Sequence, residues 1–303
     1  MKLEIRDVCK SFSSKQILHN VSFTVSSGKA MGFLGRNGAG KTTTIRSLMN
    51  VFKQDSGEFL LDGQHLDVTK VKIGYLPEER GMYSKEKILD QLIYFARLKG
   101  AKYKEAKESA EYWLKRFELD YAKHHKLETL SKGNQQKVQI AQALLNDPDV
   151  YIFDEPFSGL DPVNSQVLKD VIQEKIDQGK LVIFSSHQMS YVEEFCDEIA
   201  LIDKGRIILS GSLKSIKEAM GEGKVRIKFK QMSNEDSINW MKNHLPQFQC
   251  ESDRQSLIVS IIDTTSKEFL KLCALKDADV EYFAPYRPTL HDIFVKKVGE
   301  ENA

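Results

Sequence analysis

Along this chain the apolar and polar positions change period several times, and each change marks an element. Residues 3–9 and 21–25 alternate apolar with polar side chains and predict half-buried strands. Between them, Lys10-Ser11-Phe12-Ser13-Ser14 predicts a polar turn carrying one exposed aromatic. The apolar run Ala30-Met31-Gly32-Phe33-Leu34 leads into a glycine-rich segment, and Thr43 to about Val51 then reads as helix. Gln54-Asp55-Ser56-Gly57 predicts a turn, Glu58-Phe59-Leu60-Leu61 a short strand ending at Asp62-Gly63, and Ile73-Gly74-Tyr75-Leu76 another, closed by Pro77.

The period then becomes helical. Residues 86–146 hold no proline and place Ile88, Leu89, Leu92, Ile93, Phe95 and Ala96, then Ala110, Trp113, Leu114 and Phe117, at helical spacing. A helical subdomain over about 82–146 is the expectation. Alternation of strand and helix resumes with Val150-Tyr151-Ile152-Phe153, a helix over about 163–178 and the wholly apolar Leu181-Val182-Ile183-Phe184, as for a strand covered on both faces. A hairpin follows, Ile199 to Ile202 and Arg206 to Leu209, joined by Asp203-Lys204-Gly205.

Gly221-Glu222-Gly223 predicts a boundary between one domain over 1–220 and a second over 223–303. The second reads as strand 224–230, helix 235–244, strands 247–252 and 256–262, helix 265–275 and strand 279–284, then a final helix whose Thr289 and Asp292 form a capping pair. That βαββαβ order is similar to a ferredoxin-like fold and carries no catalytic constellation. The overall class is α/β with a small α+β appendage.

Composition narrows the function. A length of 303 residues suits one large domain plus a smaller one. A net charge of +1 argues against a general nucleic-acid coat. Cys9, Cys196, Cys250 and Cys273 lack metal-ligand spacing and suit a reducing cytosol. The charged N-terminal stretch from Met1 to Asp7 has no signal-peptide character, and no apolar run approaches the roughly 18 residues that span a bilayer. Any membrane span is expected on another chain.

The chemistry concentrates in Gly35-Arg36-Asn37-Gly38-Ala39-Gly40-Lys41-Thr42, with Thr43 following. Glycines let the backbone fold into a nest of inward N–H groups, and the following helix aims its positive end at the same point. Between a strand and a helix this is the phosphate-loop pattern: Lys41 reaches the β- and γ-phosphates and the Thr42 hydroxyl sits on Mg²⁺. Downstream, the strand ending Phe153-Asp154-Glu155-Pro156 delivers Asp154 toward the metal and Glu155 as the base that activates water.

Further motifs bring in a family. Leu130-Ser131-Lys132-Gly133-Asn134-Gln135-Gln136-Lys137 resembles the signature motif of ATP-binding cassette (ABC) ATPases, Ser158-Gly159-Leu160-Asp161-Pro162 their D-loop, and Ser185-Ser186-His187 their histidine switch. Phe12 stands where the family stacks an aromatic on adenine. The resemblance covers residues 1–220. It implies a P-loop core with an antiparallel β subdomain, and an ATPase using ATP and Mg²⁺. It also implies a head-to-tail dimer, homo- or heterodimeric, in which Ser131, Lys132, Gly133 and Asn134 of one subunit close on the nucleotide of the other. Asp161 belongs to the D-loop, and His187 contacts the γ-phosphate.

Three positions depart from the family pattern. Glu78 replaces the usual glutamine as a possible metal-facing group, Lys132 replaces the first signature glycine, and Asn134 its glutamine. Together with Pro288-Thr289-Leu290…Ile293-Phe294, they resemble bacterial ABC exporters of the sodium-extrusion and drug-resistance kind. The resemblance then implies membrane-spanning permease partners, no nucleic acid, and a cytoplasmic chain held peripherally at the inner face of the membrane. Tyr83, Ile88 and Tyr94 are the expected docking surface for a permease helix, and His124 and His125 are expected on the surface. A soluble ABC ATPase acting on ribosomes or DNA is the alternative.

Overall fold

The computed structural model describes residues 1–79 and 81–301; Arg80, within the Glu78–Gly81 stretch, lies outside the described residues. By internal contacts the chain divides into two compact units, with the break between Leu213 and Lys214.

In the first unit β1 (Lys2–Phe12) and β2 (Lys15–Ser26) form a long hairpin. Lys10 to Phe12 are therefore strand, not turn, and only Ser13 and Ser14 make the reversal. The cause is a contact from a distant segment: Asp55 takes the Ser11 backbone N–H at 2.6 Å and the Lys10 ammonium at 2.9 Å, tying this polar stretch down in extended form. β3 (Ala30–Leu34) precedes α1 (Lys41–Leu48). β4 (Ser56–Leu61) pairs with β1, and the two-residue β5 (Gln64–His65), too short to show a period, completes the antiparallel sheet β2-β1-β4-β5.

After β6 (Ile73–Leu76) come α2 (Ile88–Leu98), α3 (Tyr103–Arg116) and α4 (Lys132–Leu144), the helical stretch expected from the pattern. Their buried faces carry the periodic residues: Ile88, Leu92, Ala96, Ala110 and Leu114 are inaccessible to solvent. The unit closes with β7 (Val150–Asp154), α5 (Pro162–Asp177), β8 (Leu181–Ser186), the unpredicted short α6 (Met189–Phe195), β9 (Glu198–Asp203) and β10 (Arg206–Ser212). The second sheet has the order β10-β9-β3-β8-β7-β6, parallel except for β10. β3, β7 and β8 are buried along their whole lengths, which is why they read as unbroken apolar runs.

One apolar core joins the two sheets, with Leu3, Ile5 and Val25 from the first and Phe33, Ile152, Ile183 and Ile202 from the second. Phe23 stacks on Phe33 at 4.9 Å between ring centres. Each such side chain, fully buried, contributes about 1.5–3 kcal/mol. This core holds the C-terminal ends of β3, β7 and β8 level with one another, where Asp154 lies opposite Ser185 and Leu34 opposite Ser186.

The second unit begins within α7 (Leu213–Gly221), a helix that precedes the glycines taken as the boundary. It comprises β11 (Lys224–Phe229), α8 (Asn234–His244), β12 (Cys250–Asp253), β13 (Ser256–Ser260), α9 (Ser266–Leu275), β14 (Val280–Pro285) and α10 (Leu290–Glu301). The antiparallel order β12-β13-β11-β14 is the ferredoxin-like arrangement the element order implied. Val225, Ile227, Phe229, Leu257, Val259 and Phe269 form its own core. α9 starts in a reciprocal cap between Thr265 and Glu268, and α10 in one between Thr289 and Asp292.

Candidate functional site

The loop between β3 and α1 is built by two glycines that accept no side chain. Gly40 has φ +113°, a left-handed conformation that costs glycine little, and a Cβ there would press on Leu18. A Cβ on Gly35 would run into the carbonyl of Ile202 on the neighbouring strand. Arg36, Asn37 and Gly38 form the exposed rim, whereas Ala39, Gly40 and Lys41 are buried. Lys41 folds back over the loop, its Nζ donating to the Gly35 carbonyl at 2.7 Å. Thr42 and Thr43 open α1 at the loop's inner end.

The Thr42 hydroxyl donates to Asp154 Oδ2 at 3.2 Å, and Ser185 of β8 donates to Oδ1 of the same carboxylate. Burial raises the Asp154 pKa, opposed by the Ser185 and Thr42 hydrogen bonds and reinforced by the neighbouring Glu155 charge. A carboxylate at 1 % exposure beside a second acid is a place where a divalent cation would favour the charged form and relieve the repulsion. The donor set of hydroxyl and carboxylate oxygens suits Mg²⁺ rather than a transition metal. Asp154 also reaches Tyr75 of β6, whose hydroxyl pKa is pushed up to about 12, by burial first and by this carboxylate second. Glu78 lies exposed just beyond β6, and Arg46 of α1 meets its neighbour Glu79 at 3.5 Å.

Glu155 is buried and has φ +51°, a left-handed conformation that costs a non-glycine residue about 1–3 kcal/mol. Its carboxylate is held from β8: the His187 backbone N–H donates to Oε1 at 2.8 Å, and the Ser186 hydroxyl donates to Oε2 at 3.3 Å. His187 Nδ1 lies 2.8 Å from the same Oε1. With the carboxylate as acceptor, that contact places a proton on Nδ1.

The remaining motif residues are more exposed. Ser131 caps α4 by accepting the Asn134 N–H at 3.3 Å, and Lys132 and Gly133 form the first turn. The Asn134 side chain donates to the Tyr121 hydroxyl at 3.3 Å, a partner the sequence pattern did not suggest. Asp161 caps α5, accepting the Asn164 N–H at 2.9 Å. Phe12 is about half exposed at the end of β1, edge-on to Phe52 with ring centres 5.0 Å apart. His124 and His125 are exposed. Among the expected docking residues Tyr83 and Tyr94 are exposed, but Ile88 is completely buried; it belongs to the core of the helical subdomain because it opens α2 on the inward face.

The structure thus brings Lys41, Thr42, Asp154, Glu155 and His187 together at the C-terminal ends of the interior strands β3, β7 and β8. The D-loop runs on directly from Glu155, with the Ser158 N–H donating to the Glu155 carbonyl at 3.1 Å, and Gly133 of the signature faces the D-loop carbonyl of Gly159, while Phe12 lies at the end of β1. Ser185 and Ser186 are site groups whose individual contacts the sequence did not reveal. Their only signal was the polar pair ending an apolar strand, in register with Asp154.

A glycine nest between strand and helix, with a buried acidic pair at the end of a parallel strand two places away in the same sheet, defines a P-loop nucleotide-binding cassette of the α/β class. The ABC transporter family matches residues 18–158, and the family "ATP-binding protein DrrA1-3-like, C-terminal domain" matches residues 211–298. ABC transporter ATP-binding protein YhaQ of Bacillus subtilis (strain 168) is 38% identical over 300 residues, covering 98% of each chain. ABC transporter ATP-binding protein NatA of the same organism is 36% identical over 227 residues, 72% of this chain and 92% of the relative.

Among solved structures, an ATP-binding subunit of an ABC transporter is similar at a TM-score of 0.67 and 29% identity, covering 73% of this chain and 94% of that one. The dimeric ABC transporter cassette MJ0796 is similar at 0.64 and 25% identity, covering 70% and 98%. The chain belongs to the ABC transporter ATP-binding proteins, a family of ATPases. No helix among the described residues is long and apolar enough to cross a membrane.

Proposed function

We propose that the chain is the ATP-hydrolysing subunit of a bacterial ABC exporter, working as a head-to-tail pair of cassettes on a membrane-spanning permease. The observation that carries this reading is the convergence of Lys41, Thr42, Asp154, Glu155 and His187 at the C-terminal ends of β3, β7 and β8. The nest from Gly35 to Thr43 and the Lys41 ammonium bind the triphosphate, with the adenine against Phe12. Thr42 and Asp154 would hold Mg²⁺, with Glu78 facing it, and the ion would neutralise charge on the phosphates. Glu155 takes a proton from water as its oxygen attacks the γ-phosphorus in line. The bond to the β–γ bridging oxygen breaks, leaving ADP and phosphate. His187 contacts the γ-phosphate, and Ser131, Lys132, Gly133 and Asn134 of the second subunit close the opposite side, next to Asp161.

Pairing is supported by the MJ0796 cassette, solved as a dimer and also in a post-hydrolysis state bound to ADP and Pi. Export is supported by the DrrA1-3-like C-terminal match and the likeness to NatA. The exposed Tyr83 and Tyr94 suit a cytoplasmic helix of the permease, which would hold this chain at the inner face of the membrane. A soluble ATPase directed to ribosomes or DNA has no support among these relatives. The deciding experiment is Glu155→Gln with ATP and Mg²⁺. The variant is expected to retain ATP and move from monomer to dimer by light scattering. Parental turnover, or failure of every Mg²⁺–ATP condition to produce a dimer, would overturn the proposal.

A further inference from the structure

We infer that Phe157 and Tyr191 form an aromatic clamp that positions Glu155 and His187 for hydrolysis; this rests on the reading of those two residues given above. Each belongs to a segment leaving the site. Phe157 lies two residues beyond Glu155, and Tyr191 lies in α6, four residues beyond His187. The buried Phe157 ring stacks on Tyr191 at 4.4 Å between centres with the planes 20° apart. It also lies 6.0 Å from the Phe195 ring and meets Phe184 of β8 edge-on at 5.4 Å.

A third segment joins the cluster. Lys169 of α5, the helix capped by Asp161, sets its ammonium 5.3 Å from the Tyr191 ring centre and 5.1 Å from that of Phe195. It is fixed there by Glu194 at 2.7 Å. The segments carrying Glu155, Asp161 and His187 therefore meet on one stack. The signature helix reaches the same segment, since Gln136 of α4 donates to the Pro156 carbonyl at 3.4 Å.

The geometry explains why such a clamp is needed. Glu155 sits in a left-handed conformation that only its surroundings can maintain, and its carboxylate is gripped by the backbone N–H of His187. If α6 moves relative to the Glu155–Phe157 turn, the 2.8 Å contact between base and histidine is lost. Neither aromatic belongs to the set of residues proposed to touch nucleotide; both act through the residues that do.

The test compares Tyr191→Leu, Tyr191→Phe and Phe157→Leu in the full chain, each with steady-state kinetics, nucleotide affinity by a fluorescent ATP analogue, and a melting curve. Tyr191→Leu and Phe157→Leu are expected to lower kcat by about ten- to a hundredfold, the scale of small misplacements at a reacting centre, with KM and analogue affinity nearly unchanged. Tyr191→Phe, which keeps the ring, should retain parental turnover. Parental kcat in Tyr191→Leu, or equal losses in kcat and affinity, would overturn the clamp. Glu155→Gln in the same assay separates the two levels. If it loses turnover while the leucine variants do not, only the clamp fails; if it keeps turnover, the assignment of the base fails.

Discussion

The backbone N–H of His187 and its ring Nδ1 both lie 2.8 Å from one oxygen of Glu155. Two donors on one carboxylate oxygen fix its position firmly, so the two residues are expected to behave as a unit. Residues acting as a unit give non-additive losses. Glu155→Gln and His187→Ala should each cost at least about a hundredfold in turnover, the scale of general-base loss. The double variant should be little worse than the worse single one. Single-turnover measurements under saturating ATP check this; losses that multiply would show independent roles.

Lys41 is the buried cation of the phosphate loop and in this structure bonds the Gly35 carbonyl. Lys41→Ala removes the charge proposed to meet the phosphates but leaves the strand and helix around it. The expected outcome is loss of ATP retention by at least about tenfold, in keeping with the roughly 1.5–3 kcal/mol of a hydrogen bond to a charged group. Equilibrium dialysis with ATP and magnesium measures it, and unchanged retention would contradict the role.

Gly133 separates folding from assembly. A Cβ there meets only the Gly159 carbonyl, at 3.8 Å, which is ordinary contact. Alanine also favours the helix over glycine by about 1 kcal/mol. Gly133→Ala should therefore melt at the same or a higher temperature. Yet on the proposed head-to-tail pairing the ATP-dependent dimer should weaken, because the added methyl would face the second subunit's nucleotide. A stabilised variant that dimerises normally would remove this surface from the interface.

Asp147 joins Lys175 and Lys180, each at 2.9 Å. Burial pulls its pKa upward, but the hydrogen bonds and charges of the two lysines win and leave it below the usual value. A depressed carboxylate stabilises the fold above its unfolded pKa, near 3.8, and loses that contribution as pH falls through the lower folded value. The side chain is more than half exposed, so solvent screening limits the effect of Asp147→Asn to about 0.5–1 kcal/mol near neutral pH. The gap between parent and variant should close in acid; a gap independent of pH would mean that charge is not its source.

Much of the molecule was legible in the chain because the signals were local. The Gly35–Thr42 nest depends on φ freedom at fixed positions, and the buried strands 150–154 and 181–186 declare themselves as apolar runs. The βαββαβ order beyond Gly223 led directly to the observed sheet order. What had no local signal was missed: β5 has two residues, α6 has seven, and Lys10–Phe12 became strand through Asp55, more than forty residues away.

The amino-acid sequence by itself determined which groups stand in the glycine nest and at the strand ends, since glycine placement and strand-end carboxylates are properties of short segments. Only the tertiary structure decided which of them meet. Ser185 on Asp154, His187 on Glu155, Phe157 on Tyr191 and the burial of Ile88 all join or enclose separate segments. Their contacts follow from strand register and helix packing, which arise when distant segments bury apolar surface together.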